Sequence, residues 1–229
     1  MSQEGATIEW SSHNSVPQYG YVDQLELPLG LLQQDSGATI GAIGTGTFGW
    51  NTINTSFRGV TFDAATTTGQ TFRLNHTFPG YLHVGNPHIA VLVEARLRDK
   101  TGSATAQPTL NLTAQAFWNS AGVDTSAQTL ASAATFGQLN STSTVLGATD
   151  YTDSQTEGFA WYIADITAAM SAAQRLALKT NLEGNSKPLG MQFVIAPSAT
   201  VGANLAIDVK SIVLQYRRHQ GLRRITDRP

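Results

Sequence analysis

The chain has 229 residues, a formal net charge of −2 and no cysteine, and only 13% of its residues are charged. That length carries one large all-β domain or two small ones. The missing cysteines exclude disulfides and thiolate metal sites, and the near-neutral balance argues against a general nucleic-acid coat.

No run of 18 apolar residues is present, so no membrane helix is predicted, and MSQEGATIEWSS lacks the basic-then-apolar order of a secretory signal. Residues 1–50 are weakly patterned. In QYGYVDQLELPLGLL the apolar residues cluster, and Pro28 and Gly30 break any helix. This predicts an N-terminal arm with short strands, too sparse to hold a core of its own. At 44–49 the chain reads GTGTFG, with Gly44, Gly46 and Gly49 on the G-x-G-x-x-G spacing. A dinucleotide loop needs a helix opening at the last glycine and an acidic residue about 20 positions on. Here WNTINTSFRGVTF follows instead. Its β-branched and aromatic content predicts a glycine-threonine turn between strands.

A β-sandwich domain is predicted over 51–218. GVTFDA (59–64) and QTFRLNHTF (70–78) alternate, the latter with Phe72, Leu74 and His76 on one face. HIAVLVEARLRD (88–99) is the strongest apolar run; its later half sets Val93, Ala95 and Leu97 against Glu94, Arg96 and Arg98. TLNLTAQAFW (109–118) sets Leu110, Leu112, Ala114 and Ala116 against Asn111, Thr113 and Gln115. Period-two alternation predicts one buried and one wet face, as in antiparallel sheets. Residues 119–150, rich in Ser, Thr, Ala and Gly, predict a long loop with two short strands.

EGFAWYIADIT (157–167) predicts a strand running into one helix over 165–180, capped by Asp165 or Thr167. PLGMQFVIAP (188–197) and LAIDVKSIVLQYRR (205–218) predict the last two strands. In the final one, Ile207, Val209, Ser211, Val213 and Gln215 fall on one face, with Ala206, Asp208, Lys210, Ile212 and Leu214 opposite. About eight strands with glycine and threonine turns predict an all-β, jelly-roll-like antiparallel sandwich with one short helix. Residues 219–229 form a basic C-terminal arm.

Chemistry is sparse. His13, His76, His83, His88 and His219 show no converging metal spacing. Glu94, Asp99, Asp153, Glu157 and Asp165 are the carboxylates a glycosidase would draw on, yet Glu94 reads as a solvated strand face and Asp165 as a helix cap. No cofactor, metal or catalytic residue is expected. Trp10, Trp50, Trp118 and Trp161 invite a sugar-stacking test, with Trp118 and Trp161 the candidates. Six of the fourteen basic residues lie from Lys210 onward, and Asp227 is the sole acid beyond it. Arg217, Arg218, Arg223, Arg224 and Arg228 are therefore candidate docking residues, since arginine forks bind carboxylates in pairs.

Over residues 157–218, the run EGFAWYIADITAAM, PLGMQFVIAP, LAIDVKSIVLQYRR resembles a jelly-roll module. It is similar to carbohydrate-binding β-sandwiches and to decoration or cement proteins of tailed bacteriophage capsids. The second resemblance implies a trimeric virion protein, made in the host cytoplasm, whose arms clamp the major capsid protein and neighbouring copies of itself, without nucleic acid or membrane. A jelly-roll coat protein and a carbohydrate- or receptor-binding module are the competing readings.

Overall fold

The computed structural model describes residues 21–29, 33–34, 48–52, 58–62, 72–78, 88–99, 108–117, 119–120, 123–124, 128–139, 148–149, 158–184, 189–198 and 205–218. In chain order these hold β1 (Tyr21–Glu26), β2 (Gln33–Gln34), β3 (Phe48–Thr52), β4 (Arg58–Phe62), β5 (Phe72–Phe78), β6 (Ile89–Asp99) and β7 (Leu110–Phe117). Then come β8 (Asn119–Ser120), β9 (Val123–Asp124), β10 (Gln128–Thr135), β11 (Gly137–Gln138), β12 (Ala148–Thr149) and β13 (Ala160–Asp165). Helices α1 (Ile166–Ala169) and α2 (Ala172–Gly184) precede β14 (Leu189–Pro197) and β15 (Leu205–Arg218).

Two sheets form the body. The first runs β11-β13-β6-β15-β4-β3, with β1 also beside β15 and β12 beside β6; the second runs β10-β7-β14-β5-β2. Strands β4, β5, β6, β7, β10, β13, β14 and β15 give four-strand cores β4-β15-β6-β13 and β5-β14-β7-β10, each antiparallel throughout. Numbered one to eight, these strands stand in the orders 1-8-3-6 and 2-7-4-5, which is jelly-roll topology. The all-β jelly-roll sandwich expected from sequence is the fold observed.

The core lies between the sheets. Leu110, Leu112, Ala114 and Ala116 of β7 and Met191, Phe193 and Ile195 of β14 meet Val91, Val93, Ala95 and Leu97 of β6 and Ile207 and Val209 of β15. Alternation in β7 is the simplest case: every second residue is buried, and those between are half-buried or, at Phe117, exposed. Each large apolar side chain so placed contributes about 1.5–3 kcal/mol relative to exposure.

Two sequence expectations change, those for the long loop 119–150 and for the single helix. The described parts of 1–50 are sheet members: β1 pairs with β15, β2 with β5 and β3 with β4. Gly49 pairs with Thr61 inside the β3–β4 ladder, so no helix opens at that glycine; residues 44–47 of GTGTFG lie outside the described residues. The long loop 119–150 contains β10, an eight-residue strand paired with β7. Two register shifts interrupt that pairing, and Ala133 takes φ 48°, with its N–H donating to Thr113 Oγ1 at 3.2 Å. The single helix is two. Asp165 caps α1 by accepting from the Ala168 N–H at 2.9 Å, as expected. Ser171 then starts α2 with a reciprocal capping box: Ser171 Oγ accepts from Gln174 N–H at 3.2 Å, and Gln174 Oε1 accepts from Ser171 N–H at 2.7 Å.

Candidate functional site

The first sheet's outer face, away from the core, is where charge gathers. A β-bulge sets it up. In the β15–β6 ladder Val209 pairs with Ala95 and Ser211 with Glu94, leaving Lys210 as the extra residue. A bulge re-aims side chains and resets strand parity. Core positions on β15 are therefore Leu205, Ile207 and Val209 before it and Ile212, Leu214 and Tyr216 after it. The uninterrupted alternation predicted for 205–218 is corrected accordingly: Val213 and Gln215 belong with Asp208, not with Ile207.

Asp208 is the hub. Its Oδ2 accepts from Arg96 Nε at 2.8 Å and Arg98 Nε at 3.0 Å; its Oδ1 accepts from Thr61 Oγ1 at 2.8 Å and Arg98 Nη2 at 3.2 Å. Four donors thus fill this β15 carboxylate, drawn from β4 and β6. Arg96, Arg98, Asp208 and Thr61 are all buried. This corrects the expectation that Arg96 and Arg98 form a wet face: a buried guanidinium requires a paired anion, and Asp208 supplies it. Burial alone pushes the Asp208 carboxyl upward, but the hydrogen bond and charge of Arg98, then the bonds from Arg96 and Thr61, outweigh it and hold it below the ordinary value.

Beside this hub the surface opens. Lys210 Nζ meets Glu94 Oε1 at 2.8 Å, with side chains 37% and 18% exposed. The Phe159 ring lies under two cations: Arg96 Cζ is 4.8 Å and Lys210 Nζ 5.5 Å from its centroid. Trp161 stands on β13 opposite Glu94, on the same face by register, and is half-buried. A half-open patch results, with an indole, a phenyl ring, a carboxylate and an ammonium on a platform fixed by the Asp208 hub. Glu94 is not simply solvated, because Lys210 holds it.

Trp118 lies outside the described residues. Arg217 is buried within β15, where its N–H donates to the His88 carbonyl at 2.9 Å, and burial pushes its guanidinium pKa down. Arg218 pairs with Tyr21 at the strand's end, and Arg223, Arg224 and Arg228 lie outside the described residues. His88 Nε2 lies 3.0 Å from Gln215 Oε1. Among the described residues no three metal-ligating side chains converge, and no helix is long and apolar enough to cross a membrane. Sequence reasoning missed Phe159, Lys210 and the Asp208 hub. Lys210 carried one signal: with Ser211 it sets two polar residues in succession, where strict alternation allows one.

No family model and no curated protein matches the chain. Two solved structures are similar at low identity. The xylan-binding module CBM15 has a TM-score of 0.43 and 12% identity, covering 87% of this chain and 99% of that one. The carbohydrate-binding module TmCBM27, described for specific mannan recognition, has a TM-score of 0.29 and 11% identity, covering 86% and 96%. At these scores the likeness assigns neither family nor ligand.

Proposed function

We propose that the chain is a non-catalytic carbohydrate-binding β-sandwich module, with the Trp161 patch as its sugar-contacting surface. One observation carries this reading: a half-exposed indole stands beside a half-exposed carboxylate–ammonium pair on a rigid sheet face. A sugar ring offers an apolar face to stack and hydroxyls that both donate and accept. Trp161 provides the stacking surface, Glu94 the acceptor and Lys210 the donor. The buried Asp208 hub keeps these groups in place before ligand arrives, which lowers the ordering cost of binding.

The capsid-clamping expectation gains no observation here. Its C-terminal arm and residues 1–20 lie outside the described residues, and the described part of 21–50 belongs to the sandwich itself. Jelly rolls serve both coat proteins and lectins, so the fold does not separate the two. Affinity electrophoresis of the whole protein through gels containing xylan, mannan, β-glucan or no polysaccharide tests the proposal. Retardation in at least one polysaccharide supports it; equal mobility in every gel refutes it.

A further inference from the structure

The opposite side of the sandwich carries a different polar surface. On the outer face of the second sheet, Thr129 pairs with Gln115, Gln115 with Gln192, and Gln192 with Asn75. These four residues form one row across β10, β7, β14 and β5. At about 4.8 Å per strand the row is about 14 Å long, the length of a few sugar rings. The adjoining row holds Phe117 opposite Gly190. Phe117 is an exposed aromatic ring, at 39%. A Cβ at Gly190 would touch the Phe117 carbonyl at 3.6 Å and its Cβ at 3.7 Å; the glycine leaves that flank of the ring open.

On β7 and β14 the surface is uncharged, and Arg73 of β5 joins it by register beside Val194. Outer positions on β7 are Asn111, Thr113, Gln115 and Phe117, and those on β14 are Gly190, Gln192, Val194 and Ala196. Its edge is braced: the Gln174 amide of α2 donates to the Thr129 carbonyl, and Thr113 Oγ1 holds the irregular turn of β10 at Ala133.

We infer that this face is a second, separate binding strip for a neutral, extended oligosaccharide laid across the strands, with Phe117 stacking a ring at one side of the row. Carboxamides and hydroxyls donate and accept together, as sugar hydroxyls do. The outer positions of β7 and β14 give nothing to an ionic partner, and Arg73 stands one row away from the strip. With the Trp161 patch on the other sheet, the module engages two glycan chains from opposite faces, and the pair gains avidity on a polysaccharide without new contacts.

The test is calorimetric titration of the full chain with neutral β-linked xylo-, manno- and gluco-oligosaccharides, from monosaccharide to hexasaccharide, and with oligogalacturonate as the charged counterpart. The strip predicts that Trp161→Ala retains one site per chain, whose affinity rises from monosaccharide to trisaccharide. Phe117→Ala and the Gln115→Ala/Gln192→Ala pair weaken that site at least tenfold, while Phe117→Trp preserves it. Matched melting curves establish that the variants fold. The inference is overturned if Trp161→Ala abolishes all binding, if Phe117→Ala leaves stoichiometry and affinity unchanged, or if this site prefers oligogalacturonate or a monosaccharide. If Phe117→Ala alone abolishes binding and Trp161→Ala has no effect, the strip stands and the Trp161 proposal falls. If no glycan binds the wild type, both fall.

Discussion

Replacing Asp208 by Asn tests the platform beneath the Trp161 patch. The carboxylate accepts four hydrogen bonds from Thr61, Arg96 and Arg98. An amide keeps one acceptor oxygen, but it turns an NH2 toward donors and takes the carboxylate charge away from two buried guanidinium groups. Removing one partner of a buried ion pair costs about 3–5 kcal/mol. In a chain of this size each kcal/mol moves the melting midpoint by roughly 2–4 °C, so Asp208→Asn lowers it by roughly 6–20 °C. Thermal unfolding followed by circular dichroism measures the shift. The triple change Arg96→Met, Arg98→Met, Asp208→Leu removes all three charges together and recovers much of the loss. An Asp208→Asn midpoint inside the surface-substitution range of about ±0.5 kcal/mol would refute the hub.

Three further outcomes are expected. Because the folded Asp208 carboxyl sits below its ordinary value, its stabilisation is present above the unfolded carboxylate pKa and fades as pH falls toward the depressed folded one. Urea midpoints for wild type and Asp208→Asn should therefore converge in acid and separate at neutral pH; a constant gap contradicts the assignment. Ser171→Ala removes the capping box of α2 and costs about 1 kcal/mol by urea denaturation, whereas Ala173→Ser, at an exposed helical position, changes little. Phe193→Ala, in the centre of β14, costs about 3–5 kcal/mol; a value near 1 would mean that the core lies elsewhere.

Much of the fold was readable because side-chain period follows burial. The strand at 109–118 shows it best: Leu110, Leu112, Ala114 and Ala116 fill the core in the order their spacing predicts. The signal fails where backbone or charge breaks the rule. Lys210 adds a residue to β15, and one extra residue exchanges every later position between faces. β10 is built of Gln, Thr, Leu, Ala and Ser with two register shifts, so neither propensity nor alternation marks it. Ser171 and Gln174 spell a capping box inside what reads as continuous helix.

The site was less readable than the fold. Trp161 was visible as a candidate from its residue type alone. Its neighbours were not, because Phe159, Glu94 and Lys210 come from the turn before β13, β6 and β15, brought together only by the ladder. Arg96 and Arg98 looked solvent-facing because a charged residue in an alternating strand ordinarily is. Only the position of Asp208, more than 100 residues on, shows why they are buried.

The central claim rests on Trp161, and calorimetric titration of wild type and Trp161→Ala with the polysaccharide that retards the protein most tests it directly. The account predicts at least tenfold weaker binding at the indole-dependent site, about 1.4 kcal/mol, with an unchanged melting midpoint. Equal affinity and stoichiometry for the two proteins would contradict it.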